Sequence, residues 1–345
     1  MKYLMYISNN YSFAILRPIQ AEIHKIKQQV VWFVASDDVN LSFFDKEEII
    51  LKKVDDIFSY QPDAILYPAN VAPTFLPGIN VAIFHGFDAG KVDRRGNNDH
   101  FKIRNCFDLY CTQGPLYTET FKRLSAQKNH HFIKETGWSA LDSLYKPSKN
   151  IQHNDKPTIL LCSTFTKKLS CAEILFPVVK ELSETNRWNW IIQFHPKMPR
   201  KTVDKYKSIQ GGFLSFVETD DVIPLLKRAD VMVCDTSSIL LMFLLLKKPV
   251  VTFKNIDPTD YLLDIEHPEN LEKTIEYALT RPTDLMNNIG NFIKKTHPYK
   301  DSNSANRVIK AIDFAVKNKS ELSNKPIDII RQFKQRKKLN YWKNL

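Results

Sequence analysis

The chain has 345 residues, only nine glycines, 43% hydrophobic residues and a formal net charge of +11. That composition excludes collagen-like and glycine-rich low-complexity sequence and leaves enough apolar material for two packed cores. The basic excess implies an anionic partner and is unevenly spread: Arg331, Lys334, Arg336, Lys337, Lys338 and Lys343 supply six of the eleven excess charges within residues 331–345, a stretch without an acid.

In chain order, short β-branched or aromatic runs alternate with helical periodicity, the pattern of βαβ units on a parallel sheet. Residues 1–10 read as a polar-ended strand rather than a signal peptide. Strands are expected at residues 3–7, 30–35, 64–67, 81–84, 109–111 and 132–134, with helices at 14–28 and 115–124. A polar stretch with two lysine-proline steps follows, then a second alternation. Its expected strands are 159–162, 190–194, 213–217, 231–234 and 250–253, and its expected helices lie near 171–183, 222–229, 241–246, 269–279 and 304–316. The longest apolar stretch, residues 239–246, is too short to cross a bilayer. Five cysteines without a CxxC pair fit a reducing compartment, so the expected location is the cytoplasm.

The predicted fold class is therefore α/β, with a Rossmann-like domain over residues 1–147, a linker at 148–157, a second Rossmann-like domain over 158–320 and a basic tail at 321–345. Two such domains are expected to face each other across a cleft that binds ligand at the carboxyl ends of the strands.

Four places in this pattern carry candidate chemistry. The first follows a strand: Phe84, His85, Gly86, Phe87, Asp88, Ala89, Gly90, Lys91. Imidazole titrates near neutrality and can accept the proton of an attacking hydroxyl; Gly86 and Gly90 permit a close turn, and Lys91 offers a point charge. The second is His195 at the end of a strand stopped by Pro196, a donor held at the sheet's rim. The third is Asp235, Thr236, Ser237 and Ser238, where a buried strand runs into small polar residues and a helix. Thr236 or Ser237 is expected to cap that helix, and its N-terminus with the neighbouring hydroxyls can hold a diphosphate. The fourth is the last amphipathic helix, capped by Ser302 or Ser304, with Arg307 offering a planar fork of donors. Each also has a plain reading as a capped turn or a surface charge.

The order of these motifs, with Leu225, Leu226, Ala229, Asp230, Lys248, Pro249 and Val250, resembles the CDP-glycerol glycerophosphotransferase family of teichoic-acid and capsule synthesis. The resemblance covers roughly residues 80–320. It implies a GT-B architecture, no metal or other cofactor, and transfer of a polyol phosphate from a CDP-activated donor to a hydroxyl of a glycan or lipid-linked acceptor, releasing CMP. It also implies roles: His85 as base, His195 as the donor-diphosphate histidine, Thr236, Ser237 and Ser238 as the phosphate loop, Arg307 on the same phosphates, and Gly86, Asp88 and Lys91 on the acceptor side. The chain departs from the family pattern where Phe87 and Asp88 follow the first motif, where Ser139 and Ala140 replace proline and arginine, and where Ser302 and Ala305 replace glycine and serine.

Two alternatives come from other chemistry. A nucleotide-sugar glycosyltransferase or hydrolysing epimerase shares this scaffold. A nucleic-acid binder fits the charge, but no helix-turn-helix, RRM or zinc-finger pattern is found, so no nucleic acid is expected as partner. The tail mixes its basic residues with Ile330, Phe333, Leu339 and Trp342, which suits an interfacial segment on the inner face of an anionic membrane or, equally, a solvated terminus.

Overall fold

A computed structural model describes residues 1–88, 98, 100–126, 129–146, 155–219 and 221–343. The elements run β1 (Lys2–Ile7), α1 (Ser12–Lys25), β2 (Gln29–Val34), β3 (Ile50–Leu51), α2 (Val54–Tyr60), β4 (Ala64–Tyr67), β5 (Ile79–Ile83), β6 (Leu109–Thr112), α3 (Pro115–Leu124), β7 (Phe132–Glu135) and α4 (Asp142–Tyr145). They continue with β8 (Thr158–Ser163), α5 (Ala172–Glu184), β9 (Asn189–Phe194), α6 (Arg200–Lys207), β10 (Leu214–Phe216), α7 (Ile223–Arg228), β11 (Val231–Cys234), α8 (Ile239–Leu245), β12 (Val250–Phe253) and β13 (Leu263–Ile265). Four helices end the chain: α9 (Leu271–Leu279), α10 (Thr283–Thr296), α11 (Ser304–Lys317) and α12 (Ile329–Leu339). Among the described residues no helix is long and apolar enough to cross a membrane.

The chain divides into two compact units. One holds the described residues of Met1–Gly86, Asp93–Lys146 and Thr296–Leu345, the other those of Phe87–Val92 and Pro147–Lys295. In the first unit a seven-stranded sheet has the order β3-β2-β1-β4-β5-β6-β7, and in the second a six-stranded sheet has the order β10-β9-β8-β11-β12-β13. Every strand pair is parallel, for example Tyr3 beside both Val30 and Ala64, and Ile159 beside both Trp190 and Val231. A parallel sheet covered on both faces demands nearly unbroken apolar strands, which is why β4, β8, β11 and β12 are buried from end to end.

Two boundaries differ from expectation. The second domain ends at residue 295, not 320, because α11 lays Val308 and Ile312 into the first unit and packs on α1. The expected basic tail contains α12, which docks on the first unit and continues its fold through residue 343. The expected linker lies mostly outside the described residues.

The returning chain is held by a clasp built from two polar motifs. Asp142 accepts the backbone N–H of Ser304 (2.9 Å) and Ala305 (2.8 Å), so a carboxylate from α4, not Ser302 or Ser304, caps α11 and complements its dipole. Gly137, at φ 76°, is required there: a Cβ would stand 2.6 Å from Ser304 Oγ. Gly114 has a similar task, because a Cβ would run into the Thr296 carbonyl. Ser302 sits at φ 53°, the left-handed region that costs an L-residue about 1–2 kcal/mol. Ser302→Gly is therefore expected to raise the melting temperature by about 2–4 °C, checked by calorimetry.

His297 is fully buried beneath the clasp, accepting the Trp138 N–H at 3.0 Å and stacking on Tyr145. Burial, with help from the Arg307 charge, lowers its pKa from 6.5 to about 4. The folded pKa lies below the unfolded one, so this group is silent above pH 6.5 and withdraws stability as pH falls from about 6.5 to about 4. The loss should reach about 3 kcal/mol. Urea midpoints across that range test it, and His297→Gln, which retains an acceptor, should flatten the slope.

Candidate active site

Within the second unit the strand order reverses between β8 and β11, the switch point at which doubly wound sheets bind ligands beyond their carboxyl ends. Three strand ends converge there. β8 delivers Ser163, Thr164 and Phe165; its neighbour β9 delivers His195; its other neighbour β11 delivers Asp235 through Ser238.

Asp235 ties these ends together and is fully buried. It accepts the Ser163 hydroxyl at 2.6 Å, the Thr164 N–H at 3.0 Å and the Cys171 N–H at 3.1 Å. Burial raises its carboxyl pKa, and the donors partly offset this. From sequence, Asp235 is simply the first of four small polar residues at the end of a buried strand. The structure makes it the internal support of that loop, leaving Thr236, Ser237 and Ser238 toward solvent. Thr236 Oγ1 accepts the Ile256 N–H at 3.1 Å, which fixes the loop to the end of β12. The expected helix cap is not made: α8 is only seven residues, its N-cap is Ser238, and no side chain caps it. What this loop offers an anion is hydroxyls and neighbouring groups rather than a long helix dipole.

His195 is exposed at the end of β9. Its Nδ1 accepts the Lys197 N–H at 3.1 Å, so the neutral ring carries its proton on Nε2 and presents a donor. The Phe165 ring packs against it, centroids 4.5 Å apart, with the Lys197 ammonium 5.8 Å over Phe165. Sequence reasoning missed Phe165 and Lys197 as neighbours of His195. Their signal was position alone, just beyond the ends of β8 and β9.

In the first unit His85 follows β5, one strand from the β1/β4 switch point. Its ring lies 5.7 Å from Tyr11, which follows β1. The loop is pinned from beneath, as Trp138 Nε1 donates to the Phe84 carbonyl (2.7 Å) and buried Gln113 donates to the Gly86 carbonyl (2.6 Å). A Cβ at Gly86 would meet open space, so the protein's own packing does not require glycine there. Asp88 clusters with the second unit. Lys91 and Gly90 lie outside the described residues.

Arg307 belongs to the first unit, whereas Thr236, Ser237 and Ser238 belong to the second. Its Nε donates to the Thr136 carbonyl at 2.8 Å, its two Nη groups grip Asp301 at 2.7 and 3.1 Å, and its plane lies 4.0 Å over Tyr299. Three of these contacts use donors of the fork that the resemblance places on a diphosphate. These contacts tie the returning chain to the end of β7.

Comparison with known proteins follows this division. Residues 178–313 match the family model described as CDP-glycerol:poly(glycerophosphate) glycerophosphotransferase. The matched span contains His195, Thr236, Ser237, Ser238 and Arg307 and stops short of His85, so the resemblance is strongest over the second unit. No curated protein matches the sequence. Among solved structures, the wall teichoic acid polymerase TagF is 15% identical with a TM-score of 0.64, over 92% of this chain and 90% of that one. A UDP-N-acetylglucosamine 2-epimerase is likewise 15% identical with a TM-score of 0.64, over 95% of this chain and 99% of that one. The S. aureus MnaA–UDP co-structure is 14% identical with a TM-score of 0.63, over 95% and 99%. The fold is α/β of the GT-B type, with two doubly wound parallel sheets.

Proposed function

We propose that the chain is a polyol-phosphate transferase that uses a CDP-activated donor, CDP-glycerol or a close relative. The observation that carries this reading is the coincidence of the family match at residues 178–313 with the polar cluster at the β8/β11 switch point. In this reading His195 Nε2–H and the hydroxyls of Thr236, Ser237 and Ser238 hold the donor diphosphate. His85 takes the proton of the acceptor hydroxyl as its oxygen attacks the phosphorus that bears the polyol. The new P–O bond forms as the bond from that phosphorus to the bridging oxygen breaks, and CMP leaves with the bonding pair. Phosphoryl transfer asks for positioning and charge stabilisation, which fixed donors supply. The reading invokes no metal step. The acceptor is a hydroxyl of a cell-surface glycan or a lipid-linked precursor.

A second reading, turnover of a UDP-sugar, is favoured by the epimerase likeness, whose TM-score equals that of the teichoic acid polymerase. One assay separates them. The protein is incubated with CDP-glycerol and a lipid-linked glycan acceptor, and separately with UDP-N-acetylglucosamine. CMP release in the first mixture supports the transferase; an inert first mixture with consumption of the UDP-sugar replaces it.

A further inference from the structure

Helix α12 has two chemically distinct faces. The inner face is fixed to the first unit: Arg336 is buried with its guanidinium 4.3 Å over Phe75, and Arg331 donates to the Arg104 carbonyl. Beyond the helix, Tyr341 stacks between Phe58 and Phe75, with centroids at 5.4 and 5.9 Å, and Lys343 pairs with Asp55 at 2.8 Å. The outer face carries two adjacent stripes at helical spacing, Ile329, Phe333, Lys337 and Ile330, Lys334, Lys338. Ile327 precedes them, and the Trp342 ring packs 5.3 Å from Phe333. The five apolar side chains Ile327, Ile329, Ile330, Phe333 and Trp342 are 42% to 78% exposed, and Lys334, Lys337 and Lys338 beside them are exposed too.

We propose that this outer face seats the protein on an anionic lipid surface. Isoleucine, phenylalanine and tryptophan side chains enter the boundary between headgroups and acyl chains, while the three lysines meet the lipid phosphates and carboxylates. The helix is already folded and docked, so binding does not have to order it first. A second copy of the chain fits less well, because an isologous contact would bring two sets of lysines together. Duplex nucleic acid would reward the lysines but leave the exposed isoleucines in water. The inference concerns binding alone and stands or falls independently of the transferase reading.

The test uses the full chain with vesicles of phosphatidylcholine, with or without phosphatidylserine. Sedimentation is expected only with the anionic vesicles. Four of the five tryptophans, Trp32, Trp138, Trp188 and Trp190, are buried, so brominated acyl chains should quench Trp342 selectively, and Trp342→Phe should pellet without that quenching. Replacing Lys334, Lys337 and Lys338 together by glutamine should weaken partitioning on the order of 100-fold. Ile330→Ser with Phe333→Ser should also release the protein, and unchanged urea midpoints show that these variants are folded. Equal pelleting on neutral vesicles, undiminished binding by the triple variant, or a lipid-free dimer abolished by Ile330→Ser with Phe333→Ser would overturn the proposal.

Discussion

Replacing His85 with alanine is expected to lower kcat for CMP release by about 10²–10⁴-fold, the usual contribution of a positioned general base. The donor KM should change little, since the proposed donor contacts lie in the other unit. The loop around His85 owes its shape to the Trp138 and Gln113 bonds to flanking carbonyls, neither of which involves the imidazole. His85 is exposed with its ring beside Tyr11 and takes no part in those two bonds, so an activity loss in a variant with an unchanged urea midpoint would report chemistry. Steady-state kinetics with the folded variant, together with a pH profile, check this. An His85→Ala enzyme with wild-type kcat would remove the base from the mechanism.

The second large effect is structural. Asp235→Ala should destabilise the second unit by about 3–5 kcal/mol, because the donors that it satisfies would be left behind at about 1–3 kcal/mol each. The Thr164 and Cys171 N–H groups would lose this acceptor, and the Ser163 hydroxyl would be left with Ser170 and the Thr164 carbonyl. The loop that carries Thr236, Ser237 and Ser238 would lose its internal support with them. Urea unfolding should show a lowered midpoint, and activity should fall even where the protein remains folded. Asp235→Asn, which retains an acceptor oxygen but adds a donor facing donors, should fall between the two. A midpoint equal to wild type would mean that the buried carboxylate supports nothing.

Much of the fold was legible because parallel strands buried on both faces leave unbroken apolar runs, and β4, β11 and β12 lie where those runs predict. Several elements escaped, among them the 14-residue helix α10 and others for which that rule weakens. β3 has two residues and β13 three, as edge strands often do. Helix α6, RKTVDKYK, is polar almost throughout and buries only Thr202 and Tyr206. Among candidate site residues, the positions of His85 and His195 near strand ends were legible, His195 immediately after β9 and His85 one residue beyond the end of β5. The contacts of Arg307 were not legible, because they depend on the chain returning to the first unit. That return rests on Asp142 and Gly137, far away in sequence. Glycine scarcity gave a partial clue: Gly114 and Gly137 are both seats for the returning segment.

The most direct test of the donor assignment is where a nucleoside diphosphate binds. Crystals soaked in turn with CDP and UDP are expected to hold CDP on the second unit, its phosphates within hydrogen-bonding distance of His195 Nε2 and the hydroxyls of Thr236, Ser237 and Ser238. An ordered UDP where CDP fails to bind, or a diphosphate seated away from the ends of β8, β9 and β11, would contradict it.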